Sequence, residues 1–215
     1  MVGVLFTIGD TNVYEQDLKS FEPGQWLTDN AISFALEYIT SACEEPNREQ
    51  KHIVYPCFTE ALKHCSVEEV PIFLGNPEDL INKTLLVIVS DNTDPNEILG
   101  GHHWTLLMWH DDSKCFYFFD SMNGRYHNFV PKIARRIAEH MYGKGFQYTI
   151  DIKNGTQQEN ASDCGMHVIE LCRTLMNSSI EEISNLKLDT NTLTEKRKNW
   201  IAIGHTLTNQ ELKKE

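Results

Sequence analysis

Four residues of this chain are of types that together carry out acyl transfer: Cys164, His103, Asp120 and Gln158. A cysteine nucleophile acts as its thiolate and needs an imidazole beside it. The imidazole needs a carboxylate to fix its tautomer, and the tetrahedral intermediate needs donors aimed at its oxyanion. The quartet supplies one group for each task, with the Gln158 side-chain amide and the Cys164 backbone N–H as the oxyanion donors. A free cysteine is usually just a small buried residue, so the case rests on where the four groups lie.

Cys164 sits where a loop becomes a helix. Gln157 to Asp163 is polar and turn-prone, whereas from Gly165 onward Met166, Ile169, Cys172 and Met176 recur at helical spacing. A helix start offers unpaired N–H groups and the positive end of the macrodipole, which favours thiolate over thiol. His103 and Asp120 fall in two aromatic-rich, strand-like runs, His102–His110 and Cys115–Asp120, on either side of Asp111–Lys114. The spacing predicts a β-hairpin. With Asp111 and Asp112 at its tip, residues whose numbers sum to 223 are opposed, and His103 faces Asp120. Opposed Cβ atoms are about 4.5–5.5 Å apart, close enough for the carboxylate to hold the imidazole by its Nδ1–H, provided no odd loop or bulge shifts the register.

The rest of the chain must build a scaffold for these groups. Its 215 residues, 40% of them hydrophobic, suit one domain over 1–215. Val2–Ile8 reads as an edge strand. A turn at Phe21–Leu27 leads into a helix through Ala31, Phe34, Leu36 and Ile39, capped by Thr28 or Asp29. The polar 43–52 stretch reads as turn, and a short helix is expected over Phe58–Cys65. Leu85–Val89 reads as an interior strand, followed by an aperiodic loop from Ser90 to Gly101 of the kind that forms lids. Phe129–Tyr142 has helical spacing, Phe146–Ile152 alternates as a strand, Asn177–Ser179 breaks the nucleophile helix, and a last helix runs around Leu193–Thr206.

Composition narrows the class. A net charge of −12 opposes nucleic acid or anionic lipid as the main partner and is compatible with a basic protein partner. No apolar run has the length of a membrane span. The six cysteines are scattered and the N-terminus lacks a signal-peptide pattern, so the expected setting is reducing and intracellular, cytoplasm or nucleus. Zinc sets such as Cys164, His167 and Cys172, or Cys57, His64 and Cys65, lack any Cys-x-x-Cys pair, and neither metal nor cofactor is expected.

Gly101-His102-His103-Trp104-Thr105-Leu106-Leu107, Phe119-Asp120-Ser121, and Gln158 six residues ahead of Cys164 in Asp163-Cys164-Gly165-Met166 resemble the ubiquitin-like-protein-specific (SUMO/sentrin) cysteine protease family. The Trp26-Leu27-Thr28-Asp29 segment and the gaps from 103 to 120 to 164 most resemble its deneddylase branch, which acts on the Nedd-type modifier. Thr28 stands where Asn is more usual, and His102 precedes the matched histidine. The resemblance implies an α+β, papain-like architecture with a central mixed or antiparallel sheet flanked by helices. It also implies a monomer acting on a ubiquitin-like modifier and its conjugates. Trp26 and Trp104 match positions that line a tunnel for the modifier's C-terminal Gly-Gly, and Asp29 one that faces the modifier's tail. Packing roles for the tryptophans and a helix-cap role for Asp29 are the plain alternatives. A SUMO protease and a non-catalytic modifier-binding module are the competing functions.

Overall fold

The computed structural model describes residues 3–94, 101–122, 129–153, 155–177 and 187–213. Residues 95–100 of the expected loop, the expected break at Ser178–Ser179, Val2 of the expected first strand and His127 lie outside the described residues.

A small antiparallel pair, β1 (Phe6–Ile8) and β2 (Thr11–Val13), opens the chain and is followed by α1 (Glu15–Lys19) and α2 (Asp29–Ala42). Next come α3 (Glu45–Glu49), β3 (Lys51–Val54), α4 (Pro56–His64) and α5 (Val70–Leu74). The hairpin region supplies β4 (Thr84–Ser90), β5 (Trp104–His110) and β6 (Cys115–Phe119). The chain closes with α6 (Phe129–Tyr142), β7 (Thr149–Lys153), α7 (Cys164–Asn177) and α8 (Leu193–Glu211).

Strands β3 to β7 form one mixed sheet in chain order, parallel at both outer pairs and antiparallel between β4, β5 and β6. Every residue of β4 is buried, as its unbroken apolar run requires of a strand covered on both faces. Alternation along β4 and β5 divides the core. Leu86, Ile88, Leu106 and Met108 pack toward α2, α7 and α8. Leu85, Val87, Leu107 and Trp109 pack toward α4, α5 and α6. The α+β class, with a mixed sheet flanked by helices, is therefore as expected.

Several expectations need revision: the first strand starts at Phe6, β7 at Thr149 rather than Phe146, and α8 runs on to Glu211. The 43–52 stretch holds a short helix and the start of β3 rather than turn alone. The helix expected to begin at Phe58 begins at Pro56, whose fixed φ and missing N–H suit a first turn. The hairpin register is also shifted. His110 faces Cys115 and Leu106 faces Phe119, so the tip is the four-residue Asp111–Lys114 turn rather than Asp111–Asp112. Lys114 N donates to Asp111 O at 3.1 Å and Lys114 takes a left-handed φ of 49°. The Asp111 carboxylate pairs with Lys114 across the turn and accepts from Trp109 Nε1, the Asn82 N–H and the Tyr142 hydroxyl, which holds it at the neck of the turn.

Candidate active site

Helix α7 begins at Cys164 and is buried nearly all round, from Met166 through Cys172, because it runs between the sheet and helices α2 and α8. Cys164 itself is buried. Gly165 is required at the second position. A Cβ there would come within 2.9 Å of Leu27 Cδ1 and 3.0 Å of Leu27 Cβ, so its absence lets the segment before α2 lie directly on the nucleophile helix.

The loop before α7 is held at each of four successive carbonyls. Gln158 Nε2 donates to Asn160 O at 2.5 Å, Trp26 Nε1 to Ala161 O at 2.7 Å, Arg197 Nη2 to Ser162 O at 2.8 Å, and the His167 N–H to Asp163 O at 2.9 Å. Asn160 Oδ1 accepts from the N–H groups of Ser162 and Asp163, and Asn160 Nδ2 donates to Asp163 Oδ2. Among the described residues no acceptor takes the Cys164 N–H, which leaves it free for a substrate oxygen.

His103 and Asp120 come together just past the ends of β5 and β6, with His103 Nε2 2.6 Å from Asp120 Oδ1. The expectation of an Nδ1–H contact is corrected. Asp120 holds Nε2, and Nδ1 is the nitrogen left for the thiol. Both groups are buried. Asp120 Oδ1 also accepts from the Met122 N–H at 2.8 Å, and Gln157 Nε2 donates to the Asp120 carbonyl at 3.0 Å. Burial alone would lower the His103 pKa, but its hydrogen bonds to Asp120 and to the Cys164 side chain outweigh burial and raise it to about 9. His167, one turn into α7, is held below the usual imidazole range by burial, against a smaller pull from Asp163. It therefore adds no second imidazolium beside the first.

Gln158 is oriented from the strand side. Its N–H donates to Ser121 O at 2.9 Å and its Oε1 accepts from Ser121 Oγ at 2.7 Å. That hydroxyl fixes which end of the amide faces the loop. Nε2 spends one N–H on Asn160 O and keeps the other.

The aromatic residues stand around the same loop. Trp26 is half exposed, with its indole N–H on Ala161 O and its ring edge-on to His102 at 5.3 Å between centroids. Trp104 Nε1 donates to Leu27 O at 3.0 Å. The two tryptophans are thus anchored by their N–H groups to the segments flanking Cys164. Asp29 is exposed at the first turn of α2 and is not its cap; Thr28 is, with Oγ1 accepting from the Ala31 N–H at 3.1 Å. The structure therefore joins His103 to Asp120 and to the Cys164 side chain, holds Gln158 between Ser121 and the loop before Cys164, ties Trp26 to that loop and Trp104 to Leu27, and leaves Asp29 exposed.

Ser121, Asn160 and Arg197 were not singled out from the sequence. Arg197 had a readable signal. It lies on the stripe Leu193–Arg197–Trp200–Gly204 that α8 buries, and a cation on an apolar stripe needs buried acceptors. No group of residues able to hold a metal ion occurs among the described residues. No helix among them is long and apolar enough to cross a membrane.

The Ulp1 protease family, C-terminal catalytic domain, matches residues 25–209. Sentrin-specific protease 8 of Mus musculus is 30% identical over 203 residues, covering 92% of this chain and 90% of that protein. NEDD8-specific protease 1 of Schizosaccharomyces pombe is 27% identical over 185 residues, covering 82% of this chain and 43% of that protein. Among solved structures, the C-terminal Ulp1 protease domain in complex with Smt3, the yeast ortholog of SUMO, is similar with a TM-score of 0.70 at 17% identity. That match covers 99% of this chain and 90% of the other, a likeness of fold.

Proposed function

The chain belongs to the Ulp1 protease family and is a ubiquitin-like-modifier cysteine protease, and from that premise we propose that it is a deneddylase, cleaving after the C-terminal Gly-Gly of the Nedd-type modifier. The observation that carries the specificity is the run of relatives named sentrin-specific protease 8 and NEDD8-specific protease, the former matched over nearly their whole length. The whole of 1–215 serves as one catalytic domain, working as a monomer in the cytoplasm or nucleus.

Chemistry follows from the quartet. Cys164 attacks the carbonyl of the modifier's terminal glycine as the thiolate, beside a protonated His103. Negative charge develops on the carbonyl oxygen and is met by the Cys164 N–H and the remaining N–H of Gln158. His103 passes its proton from Nδ1 to the departing amine, which leaves as the C–N bond breaks. The neutral imidazole then takes a proton from water as that water attacks the thioester and the C–S bond breaks, releasing the modifier and restoring the thiolate beside a protonated His103. Asp120 keeps Nε2–H in place throughout, so Nδ1 is always the nitrogen that exchanges the proton.

Trp26 and Trp104 wall the path to Cys164, each held by its indole N–H, and flat rings suit a tail without side chains. Asp29 meets a basic residue of the tail, in keeping with the acidic chain as a whole. Steady-state cleavage of C-terminal amides of the Nedd-type modifier, SUMO and ubiquitin tests the assignment. A kcat/KM for the Nedd-type substrate at least tenfold above both others supports it; a preference for SUMO replaces it with a SUMO protease of the same chemistry.

A further inference from the structure

We propose that Arg197 is a positioning residue for the nucleophile, tying the loop that delivers Cys164 to the segment that delivers Trp26. Its guanidinium is almost entirely buried and every arm of it is engaged. Nε and Nη2 lie 2.9 and 2.8 Å from Asp163 Oδ1, and Nη2 also reaches Ser162 O at 2.8 Å and Gln25 O at 3.2 Å. Nη1 reaches Ser20 O at 3.2 Å and Glu22 O at 3.3 Å.

The acceptors come from two stretches far apart in sequence. Ser162 and Asp163 immediately precede Cys164, and Gln25 immediately precedes Trp26. Seating α8 would not need a charge here, since Leu193 and Trp200 on the same stripe already fill the core with apolar side chains. What a planar, five-donor cation adds is a fixed geometry between two chain segments, which a lysine cannot reproduce from one point.

Two effects on the chemistry follow. Drawing Ser162 O toward α8 fixes the peptide plane one link before the Asp163–Cys164 peptide, whose N–H faces the developing oxyanion. Pairing Asp163 also neutralises the carboxylate adjacent to the thiolate, which would otherwise oppose its ionisation. Charged groups close to Cys164 include His103, just before β5, its partner Asp120, just after β6, and the adjacent Asp163, while burial holds His167 on α7 below the usual imidazole range. Arg197 is the cation that α8 contributes to that balance.

This inference rests on the proposed catalytic role of Cys164, and its test separates the two. Arg197→Lys keeps the charge and loses the fork; its fold is checked by circular dichroism and thermal melting. In the folded variant, kcat is expected to fall roughly 10- to 100-fold with KM within about threefold. The pH profile of Cys164 alkylation by iodoacetamide, which needs no modifier, is expected to move to higher pH, more so in Arg197→Met. A kcat within about threefold of the parent and an unmoved alkylation profile would overturn the proposal. If Arg197→Lys does not fold, Asp163→Asn, which weakens the same link with Arg197 in place, is judged by its kcat on the same criterion. Failure of the parent enzyme to cleave any modifier substrate would count against the functional reading alone.

Discussion

His103 Nε2 and Asp120 Oδ1 meet at 2.6 Å although the two residues are not cross-strand partners. Extending the observed β5–β6 register sets Asp120 opposite Thr105, so His103 is its diagonal neighbour, two residues along. Because side chains alternate with a period of two, an offset of two residues keeps both groups on one face, and an offset of one would have separated them. The dyad therefore survives a turn longer than the sequence suggested.

The pH dependence follows from this pair. An unfolded imidazole titrates near ~6.5, whereas His103 in the folded chain, burial notwithstanding, is raised to about 9 by Asp120 and Cys164. The folded state thus binds the proton more tightly. The stability this supplies is fully present below ~6.5 and is lost as pH rises through about 9. For turnover, the alkaline limb of kcat/KM is expected near pH 9 and should move to lower pH in Asp120→Ala. An alkaline limb near ~7 in the parent enzyme would contradict the pairing.

Gln158 and Ser121 can be separated by magnitude. Gln158→Ala removes an oxyanion donor and is expected to lower kcat by about 10²–10³. Ser121→Ala removes only the hydroxyl that orients the amide through Oε1, so a loss of roughly tenfold is expected, with KM unchanged. Equal losses in steady-state kinetics would indicate that Ser121 does more than orient.

Asp29 is exposed and accepts only the neighbouring Asn30 N–H at 2.9 Å, while Thr28 provides the cap, so its replacement should leave the helix intact. Asp29→Lys is expected to raise KM for the Nedd-type substrate by about tenfold through the loss of a charge-assisted contact, with kcat and melting temperature close to the parent. A large fall in melting temperature would assign Asp29 to the fold instead.

Gly165→Ala tests the close approach of the Trp26–Leu27 segment. The added methyl would press on Leu27, whose carbonyl anchors Trp104, so kcat/KM should fall roughly tenfold while the chain still folds. Unchanged kinetics would show that Leu27 moves aside without disturbing the tryptophan.

The sequence was most legible where local pattern and final environment agree. The apolar run of β4 became a fully buried interior strand, and the amphipathic stretch Phe129–Tyr142 became α6 with those ends. The helix start at Cys164 was readable because loop polarity and helical spacing change at one residue. Strand β3 was not readable. It begins with Lys51 and His52, and its partner β4 lies some thirty residues away, so no short-range pattern marks it. The hairpin tip was misread in length: Asp111 and Asp112 are turn residues, but Ser113 and Lys114 belong to the turn as well, with Lys114 in the left-handed region. Arg197 was passed over although it lies on the stripe with Leu193 and Trp200, because its acceptors are supplied by residues 20–25 and 162–163, which only the tertiary fold brings near.

The central claim is that Cys164 is the nucleophile of a protease for the Nedd-type modifier. Intact mass after incubation with C-terminal electrophile probes built on the Nedd-type modifier, SUMO and ubiquitin, followed by peptide mapping, tests it most directly. A single adduct on Cys164 with the Nedd-type probe, absent in Cys164→Ala while that variant still binds the modifier, is the expected result. Labelling of another cysteine such as exposed Cys57, or no labelling of the folded protein by any probe, would contradict it.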